Sequence, residues 1–377
     1  MRTPLAWFNS IDQPRRTAAA VGGVCFALLL IFMQAGFLGA ARTNVAIIYL
    51  ALDFDFVIHS RAYLTLPRSE PFDRLRLRQA ASVPGVARVS RFLVDSGRWH
   101  NPRNGSSAGT YIMGVNPDEP VFLDPAINAQ LLSLRPTLTA MVDRKSRSGF
   151  GPWTVGEKSS VNGQAITITG AYDLGMGLLS EGSVIVSEDN YERLQGPWNA
   201  RFANLGLVKV APGADPATVL TALRKRLPSD VTVVTREEVI RREQNYFVNV
   251  KPVGILFKAG MVVAFAAGAA ILYQIRASEM NNRLGEFATL KALGYPSSRI
   301  YAVGLQQGMI YAMLAYGPAY LLALGLYWVA RRLSGFPVYM DANRAGLVLG
   351  MALTMCTIAA VLSLWKIRNA DPASLFA

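Results

Sequence analysis

Two glycine-framed segments are the places where this sequence could host covalent or nucleotide chemistry. Gly105-Ser106-Ser107-Ala108-Gly109 has the G-x-S-x-G spacing of a nucleophile elbow. An elbow needs a strand before the serine, a helix after it, and Asp and His later in the chain. Here Asn101-Pro102-Arg103-Asn104 precedes the segment, and both histidines, His59 and His100, lie upstream. A surface loop is the favoured reading, and a membrane-anchored hydrolase would rest on Ser107 alone. Gly151-Pro152-Trp153-Thr154-Val155-Gly156-Glu157-Lys158-Ser159 resembles a phosphate loop with one residue too many. That motif places Lys directly after the second Gly, so that amides and ammonium converge on phosphate. Glu157 breaks the register and adds a negative charge, so ATP hydrolysis is expected elsewhere than on this chain. Cys25 and Cys356 lie in apolar runs, and neither His has a Cys or His at ligand spacing. The expectation is no disulfide framework and no metal site.

What remains is a problem of position, and the membrane dominates it. The 377 residues are 51% hydrophobic and 17% charged, against about 25% charged in an ordinary soluble domain. The apolar residues gather in four long runs, which excludes a purely cytosolic enzyme and a disordered chain. The first run, Ala18 to Ala41, holds 24 residues without a charge, where about 20 suffice to span a bilayer. A cleaved signal peptide is the competing reading, disfavoured because the run exceeds the usual apolar core of such peptides. The second is Val253 to Ile275, with Lys258 placed to snorkel. The third lies within Ile300 to Ala330, long enough to require tilt, a kink at Gly317-Pro318, or extension beyond the bilayer. The fourth is Ala345 to Trp365.

These runs divide the chain into 1–17, spans at 18–41, 252–275, 300–330 and 345–365, a large domain at 42–251, loops at 276–299 and 331–344, and a tail at 366–377. The net charge is +13; residues 42–251 carry 25 Lys+Arg against 20 Asp+Glu, and the remainder 13 against 5. Basic residues are thus densest beside the spans, which fits anionic headgroups and orientation signals. No basic stripe with interleaved aromatics suggests nucleic acid. Arg2, Arg15, Arg16, Arg276, Arg283, Lys291, Arg299, Lys366 and Arg368 favour both termini inside, against Arg331, Arg332 and Arg344 outside. Residues 42–251 are then extracytoplasmic.

That domain reads as mixed α/β. Phe54, Phe56 and Ile58 alternate like a strand; Glu70 to Ser82 reads as a helix; Thr110 to Val115 reads as a strand. Val161-Asn162-Gly163-Gln164 is a hairpin turn, followed by alternating Ile166 and Ile168. Strands are expected at Ser183–Val186, Leu205–Val210 and Val231–Val234, with a helix at Asp215–Leu227. Thr235-Arg236-Glu237-Glu238 is a capping-box pattern opening a helix that approaches the second span, broken at Pro252. With an outward extension of the first span over residues 42–52, it would form a helical stalk.

Two further patterns bear on function. Small residues recur every fourth position in the spans: Gly260, Ala264 and Gly268; Gly304 and Gly308; Gly346 and Gly350. Such faces permit close helix approach in lipid, as a dimer seam or a tight bundle, or reflect general tolerance of Gly there. Between the second and third spans, Leu284, Phe287, Leu290 and Lys291 fall near one helical face, and Gly294 and Pro296 stop the helix. A short amphipathic cytoplasmic helix here suits lipid contact or docking on a partner.

Several segments, in their order and spacing, resemble the DevC-type ABC exporter permeases of the FtsX/MacB-like, mechanotransmission superfamily. They are Pro4-Leu5-Ala6-Trp7, Phe32-Met33-Gln34-Ala35-Gly36-Phe37, Ala211-Pro212-Gly213-Ala214-Asp215-Pro216, Tyr273-Gln274-Ile275, Glu286-Phe287-Ala288-Thr289-Leu290-Lys291-Ala292-Leu293-Gly294-Tyr295 and Ala370-Asp371-Pro372-Ala373. Asn281-Asn282-Arg283 departs from the family, whose members often carry an acidic residue and a histidine there. The resemblance implies a non-catalytic inner-membrane permease with four spans and a periplasmic α/β domain between the first two. It implies a homodimer, a separate ABC ATP-binding subunit that holds ATP and Mg, a periplasmic adaptor and a TolC-like outer-membrane duct, with no cofactor on this chain. It makes Met280–Tyr295 the coupling helix. Arg283, Lys291 and Tyr295 would lie on the docking surface, Glu286 would ion-pair with the ATPase, Phe287 and Leu290 would insert into it, and Gly294 would end the helix. An FtsX-like regulator of cell-wall hydrolases, with no cargo, is the alternative.

Overall fold

The computed structural model describes residues 14–175, 180–196, 200–282, 297–334 and 338–368. The chain divides into two compact units, one of Met1–Ala40, Pro252–Ser334 and Val338–Ala377, the other of Ala41–Lys251 with Gly335–Pro337.

In chain order, α1 (Pro14–Val45) and the short α2 (Ile47–Ala51) lead into β1 (Phe56–Ser60), β2 (Phe72–Asp73), α3 (Leu75–Ala81), β3 (Val86–His100) and β4 (Ser107–Val115). Next come α4 (Pro125–Asn128), β5 (Thr139–Asp143), β6 (Lys158–Val161), β7 (Gln164–Tyr172), β8 (Gly182–Ser187) and α5 (Glu188–Gln195). Then follow β9 (Phe202–Ala203), β10 (Leu205–Val210), α6 (Pro216–Arg226), β11 (Val231–Thr235) and α7 (Arg236–Asn249). The last helices are α8 (Pro252–Asn282), α9 (Ser297–Ser334) and α10 (Ala342–Arg368).

Local chemistry sets many of these boundaries. Asp215 caps α6, accepting the Ala217 and Thr218 amides at 3.3 and 2.9 Å, with Pro216 at the first helical position. Thr235 caps α7 in a complete capping box: its hydroxyl accepts the Glu238 amide at 3.1 Å, and Glu238 accepts the Thr235 amide at 2.9 Å. Asn162 and Gly163, at φ 51° and 80°, form the two-residue turn between β6 and β7. Both positive angles suit the twist of an antiparallel hairpin, and Asn-Gly tolerates them.

The nine-stranded sheet of the inserted domain runs β11-β1-β10-β3-β4-β8-β5-β7-β6, and β6 also pairs with the far end of β3. Strands β11, β1, β10 and β3 each run antiparallel to the next. Helix α3 joins β1 to β3 and α6 joins β10 to β11, the interleaved order of a split βαβ pair. On one face, Phe56, Ile58, Leu77, Val208, Val219 and Leu223 form a core beneath α3 and α6. On the other, Tyr49, Val57, Tyr63, Phe92, Leu207 and Val239 belong to a second core beneath α2 and α7. Between β3 and β10 the chain inserts a ring of strands β3-β4-β8-β5-β7-β6 that closes where Trp99 meets Val161. Its interior holds Trp99, Ile112, Val142, Phe150, Ile168 and Val184.

One helix and one strand expectation are corrected here. Glu70–Ser82 is not one helix: Phe72 and Asp73 pair with Ala203 and Phe202, and only Leu75–Ala81 is helical. The Asp73 carboxylate accepts the Leu75 amide at 2.9 Å, and Phe72 is buried, so the first half is drawn into a tertiary pairing. Phe54 does not share a face with Phe56 and Ile58; it precedes β1 and packs in the opposite core. β1 is covered on both faces, so Phe56, Val57 and Ile58 are all buried.

In the other unit, four helical stretches are long and apolar enough to cross a membrane: Thr17–Val45, Pro252–Ser278, Leu305–Leu333 and Ala342–Ser363. α9 continues unbroken through Pro318. The shared core is made of Val24, Leu28 and Phe32 with Ala264, Leu272, Ala315, Ala319, Ala352 and Met355. Leu256, Val262, Val263, Leu321 and Leu322 are exposed; on helices of this length and apolarity they suit contact with lipid.

Candidate functional site

The sequence puts the functional weight on the segment between α8 and α9. Arg283, Glu286, Phe287, Leu290, Lys291, Gly294 and Tyr295 all lie outside the described residues, which resume at Ser297. The helices that lead to and from it are described. Near the end of α8, Arg276 is 1% exposed and lies over the Tyr311 ring of α9, 6.0 Å from its centre. Gln307, one turn before Tyr311, donates to its hydroxyl at 3.1 Å. Arg276, one of the basic residues flanking the spans, is packed inside the helical unit. An arginine carries an apolar stem and a flat cation that suits an aromatic face, which makes such burial tolerable. Sequence reasoning had one available signal, the Tyr and Gln at turn spacing on α9, but no means of pairing them with α8.

The small-residue positions separate into two groups. A Cβ on Gly260 would stand 2.7 Å from the Gln34 side chain, and one on Gly268 would stand 2.5 Å from the Met355 sulfur and 2.6 Å from the Ala27 methyl. Ala264, between them, is 4% exposed. This row therefore packs α8 against α1 and α10 within one chain. A Cβ on Gly308 would meet the Cys356 carbonyl at 3.4 Å, an approach that needs only slight adjustment. Gly346 and Gly350 have nothing within 4 Å of an added Cβ. Gly304 lies in α9, and nothing around it is described. Gly23 and Gly36 are close-packing positions that the spacing pattern missed: a Cβ on Gly23 would stand 2.7 Å from Ile271, and Gly36 abuts Tyr327. The Tyr327 hydroxyl donates to the Phe32 carbonyl across the α1–α9 contact.

In the inserted domain, Ser107 begins β4 and faces His100 of β3, with Nδ1 and Oγ 3.1 Å apart on an exposed rung. The serine thus sits on a strand rather than on a strained strand-to-helix turn, and among the described residues no carboxylate is hydrogen-bonded to His100. Residues 151–157 form an irregular loop leading into strand β6, not a helix, so no helix N-terminus faces the place where phosphate would sit. Glu157 pairs with Arg103. Among the described residues no group of three or more His, Cys, Asp or Glu is placed to hold a metal ion. Cys25 and Cys356 are both free.

Two grooves open on this domain. One of about 310 Å³ is lined by Asn101, Arg103, Trp153, Glu157 and Lys158. A larger one, about 580 Å³, lies under the loop that follows β1, with Leu64, Pro67 and Arg68 on one side and Val94, Asp95 and Asn204 on the other. Buried charge inside the domain is satisfied structurally: Arg91 reaches Glu188 and Glu192 at 2.9 and 3.1 Å and the Phe202 carbonyl at 2.6 Å. Burial still pushes the Glu188 carboxyl above the usual range, with Arg91 opposing. Neither groove nor Arg91 was expected from sequence.

Comparison with known proteins gives three results. The curated proteins contain no match to the chain. Among solved structures, the extracellular domain of the noncanonic ABC-type transporter YknZ from Gram-positive bacteria aligns at 11% identity and a TM-score of 0.36, over 48% of this chain and 100% of that one. The periplasmic region of MacB from Actinobacillus actinomycetemcomitans aligns at 10% identity and a TM-score of 0.38, over 52% of this chain and 96% of that one. Residues 257–372, which hold most of α8, the segment after it, and all of α9 and α10, match the family of FtsX-like permease C-terminal domains.

Proposed function

We propose that the chain is the permease subunit of an ATP-driven export system. The observation that carries this reading is the match of residues 257–372 to FtsX-like permease C-terminal domains, since that stretch contains the whole candidate coupling segment. In this reading Met280–Tyr295 docks on a separate ABC ATP-binding subunit that holds ATP and Mg. Both termini are cytoplasmic and the 42–251 domain is periplasmic. Closure of the ATPase pair moves the coupling helix, and the motion reaches the periplasmic domain, which works with an adaptor and an outer-membrane duct. The chain itself performs no covalent chemistry. Two copies assemble side by side; the open Gly346–Gly350 face of α10 suits close approach of a second chain. Lys258 is the one charged residue in the four apolar runs, none of which holds an acidic residue, and charged residues within spans usually mark ion or substrate paths. That supports a relay of motion over a conduit through the bilayer.

Gentle solubilisation of the native protein, followed by mass spectrometry of what stays bound, tests the proposal. An ATP-binding subunit recovered with a periplasmic adaptor is the expected result. The ATPase recovered with a cell-wall hydrolase and no adaptor would replace export by regulation. An ATPase missing from a preparation that retains known complexes would remove both.

A further inference from the structure

The third apolar span ends in two arginines that share their space with aromatic rings rather than with acids. Arg331 and Arg332 stand in the last turn of α9. The Arg332 guanidinium lies over the ring of Trp328, one helical turn back, 4.3 Å from its centre. The Arg331 guanidinium lies over the ring of Tyr339, beyond the end of the helix, 4.8 Å from its centre. Among the described residues neither guanidinium has a carboxylate partner; Asp341, the acid of this stretch, is engaged elsewhere. Its Oδ2 lies 3.3 Å from the Arg344 guanidinium, and its Oδ1 accepts the Arg344 amide at 2.6 Å. Residues 331–344 carry Arg331, Arg332 and Arg344 against Asp341, a balance of +2.

Depth in the membrane decides what these cations meet. The apolar stretch of α9 ends at Leu333, which is 84% exposed; Trp328 and Tyr339 are 50% and 60% exposed. A spanning helix leaves the hydrocarbon where its apolar run ends, and aromatic rings and arginines at that level lie among lipid headgroups. α8 leaves the extracytoplasmic domain and α9 returns across the bilayer, so α9 ends at the extracytoplasmic surface. The stacking leaves both arginines able to bind. A guanidinium is flat and carries its five N–H donors around its rim, so a ring face against it occupies none of them. The rings hold the cations in place, and the open rims match the paired oxygens of a phosphate. The same rings discriminate between headgroups. Choline or ethanolamine brings a cation of its own, which would find both aromatic faces covered and Asp341 already paired.

We infer that Arg331 and Arg332, seated on Tyr339 and Trp328, form a binding site for the phosphodiester of an anionic phospholipid in the extracytoplasmic leaflet. Each guanidinium offers a pair of parallel N–H donors to the non-bridging oxygens. Trp328, one turn deeper, meets the glycerol and the upper acyl chains. The negative charge of the lipid offsets the positive balance of residues 331–344. A soluble anion such as inorganic phosphate presents the same oxygens, but it has no chains to cover the exposed Leu333 and Trp328. The bound lipid would hold the end of α9 at the level of the phosphates. The site stands whether or not the chain works in export.

The test is native mass spectrometry of the full-length protein released from detergent micelles. It is titrated separately with dioleoyl-phosphatidylglycerol, dioleoyl-phosphatidylethanolamine and inorganic phosphate, and the readout is the dissociation constant of the first lipid bound. Wild type should prefer phosphatidylglycerol to phosphatidylethanolamine by on the order of tenfold or more. Inorganic phosphate should not displace it. Arg331→Gln/Arg332→Gln should weaken phosphatidylglycerol by about 25-fold, about fivefold for each arginine, and leave phosphatidylethanolamine unchanged. Arg331→Lys/Arg332→Lys keeps the charge and loses the flat fork, so it should fall between the two. Equal binding of both lipids by wild type would overturn the site, as would an unchanged phosphatidylglycerol constant in the glutamine pair. Equal loss of both lipids in that pair would reduce the site to a general interfacial belt and overturn it too. Displacement of phosphatidylglycerol by inorganic phosphate would reassign the arginines to a soluble anion. Should the glutamine pair fail to fold, a lysine pair that binds as wild type does would overturn the site instead.

Discussion

Gly268 and Ala27 meet with no room for another carbon: a Cβ at Gly268 would stand 2.6 Å from the Ala27 methyl. Real Cβ atoms do not approach so closely, and the Met355 sulfur closes the same space from the other side. Gly268→Val should lower the stability of the detergent-solubilised protein by about 1–3 kcal/mol, the usual cost of forcing volume into a packed core. Gly350→Val, with open space around it, should leave the melt of the single chain unchanged. Thermal unfolding followed by tryptophan fluorescence distinguishes them, and equal melting of the two variants would contradict the packing of α8 on α1.

Asn190 holds the ring of strands from inside. Its Nδ2 donates to the Leu134, Pro136 and Thr139 carbonyls at 3.1, 3.0 and 3.3 Å, and its Oδ1 accepts the Leu138 amide at 2.8 Å. Asn190→Ala takes the side-chain partner from the Leu134 carbonyl and the Leu138 amide, at about 1–3 kcal/mol for each one orphaned, while the Pro136 carbonyl keeps the Thr139 hydroxyl. Asn190→Asp should be worse at neutral pH and partly recover in acid, because only a protonated carboxyl can donate. Denaturant midpoints of the two variants against pH would show it.

Thr235→Ala should fray the start of α7 at a cost of about 1 kcal/mol, and Thr235→Ser should restore most of it. Faster amide exchange at Glu237 and Glu238 in the first variant, and near-normal exchange in the second, is the expected pattern.

Glu286→Ala and Gly294→Val test the proposed docking of the coupling segment. Both variants should insert and fold as wild type but lose ATPase stimulation by the permease. Normal coupled hydrolysis in both would remove the docking assignment, whatever the fate of the rest of the proposal.

The hydrolase reading has its own test. Ser107→Ala removes the hydroxyl that meets His100 and should leave growth, export and any esterase activity of the purified protein unchanged. A loss of esterase activity would revive it.

The parts of the fold that could be read from sequence are those fixed by neighbouring residues. Asp215-Pro216 opens α6, Thr235 and Glu238 open α7, and Asn162-Gly163 turns a hairpin, because each device acts within four residues. The parts that could not be read depend on distant partners. β3 runs for 15 residues with Arg88, Arg91 and Arg98 interleaved, and a strand so charged gives no apolar alternation. Arg91 is buried only because Glu188, Glu192 and the Phe202 carbonyl, roughly a hundred positions away, converge on it. β5 is five residues, buried throughout, in a segment with no turn signal that isolates it. Glu243 is indistinguishable in sequence from Glu237 and Glu238; only the return of the loop carrying Tyr63 and Leu66 makes it internal. The contact of Arg276 with Tyr311 is hidden in the same way, since Tyr311 lies on another helix. The seven coupling positions, the sharpest sequence feature, lie outside the described residues.

The point at which the chain leaves its split βαβ sheet to build the ring of strands has a structural consequence. Phe92 and Leu205 are ladder partners on β3 and β10, so the 112 residues between them depart and return across a single rung. The insertion is nonetheless bound into the sheet it leaves: Met113, Met141, Tyr172 and Ile185 of the ring share one core with Tyr49, Val57 and Leu207, so cutting the ring out at that rung would open a face of the remaining strands to water.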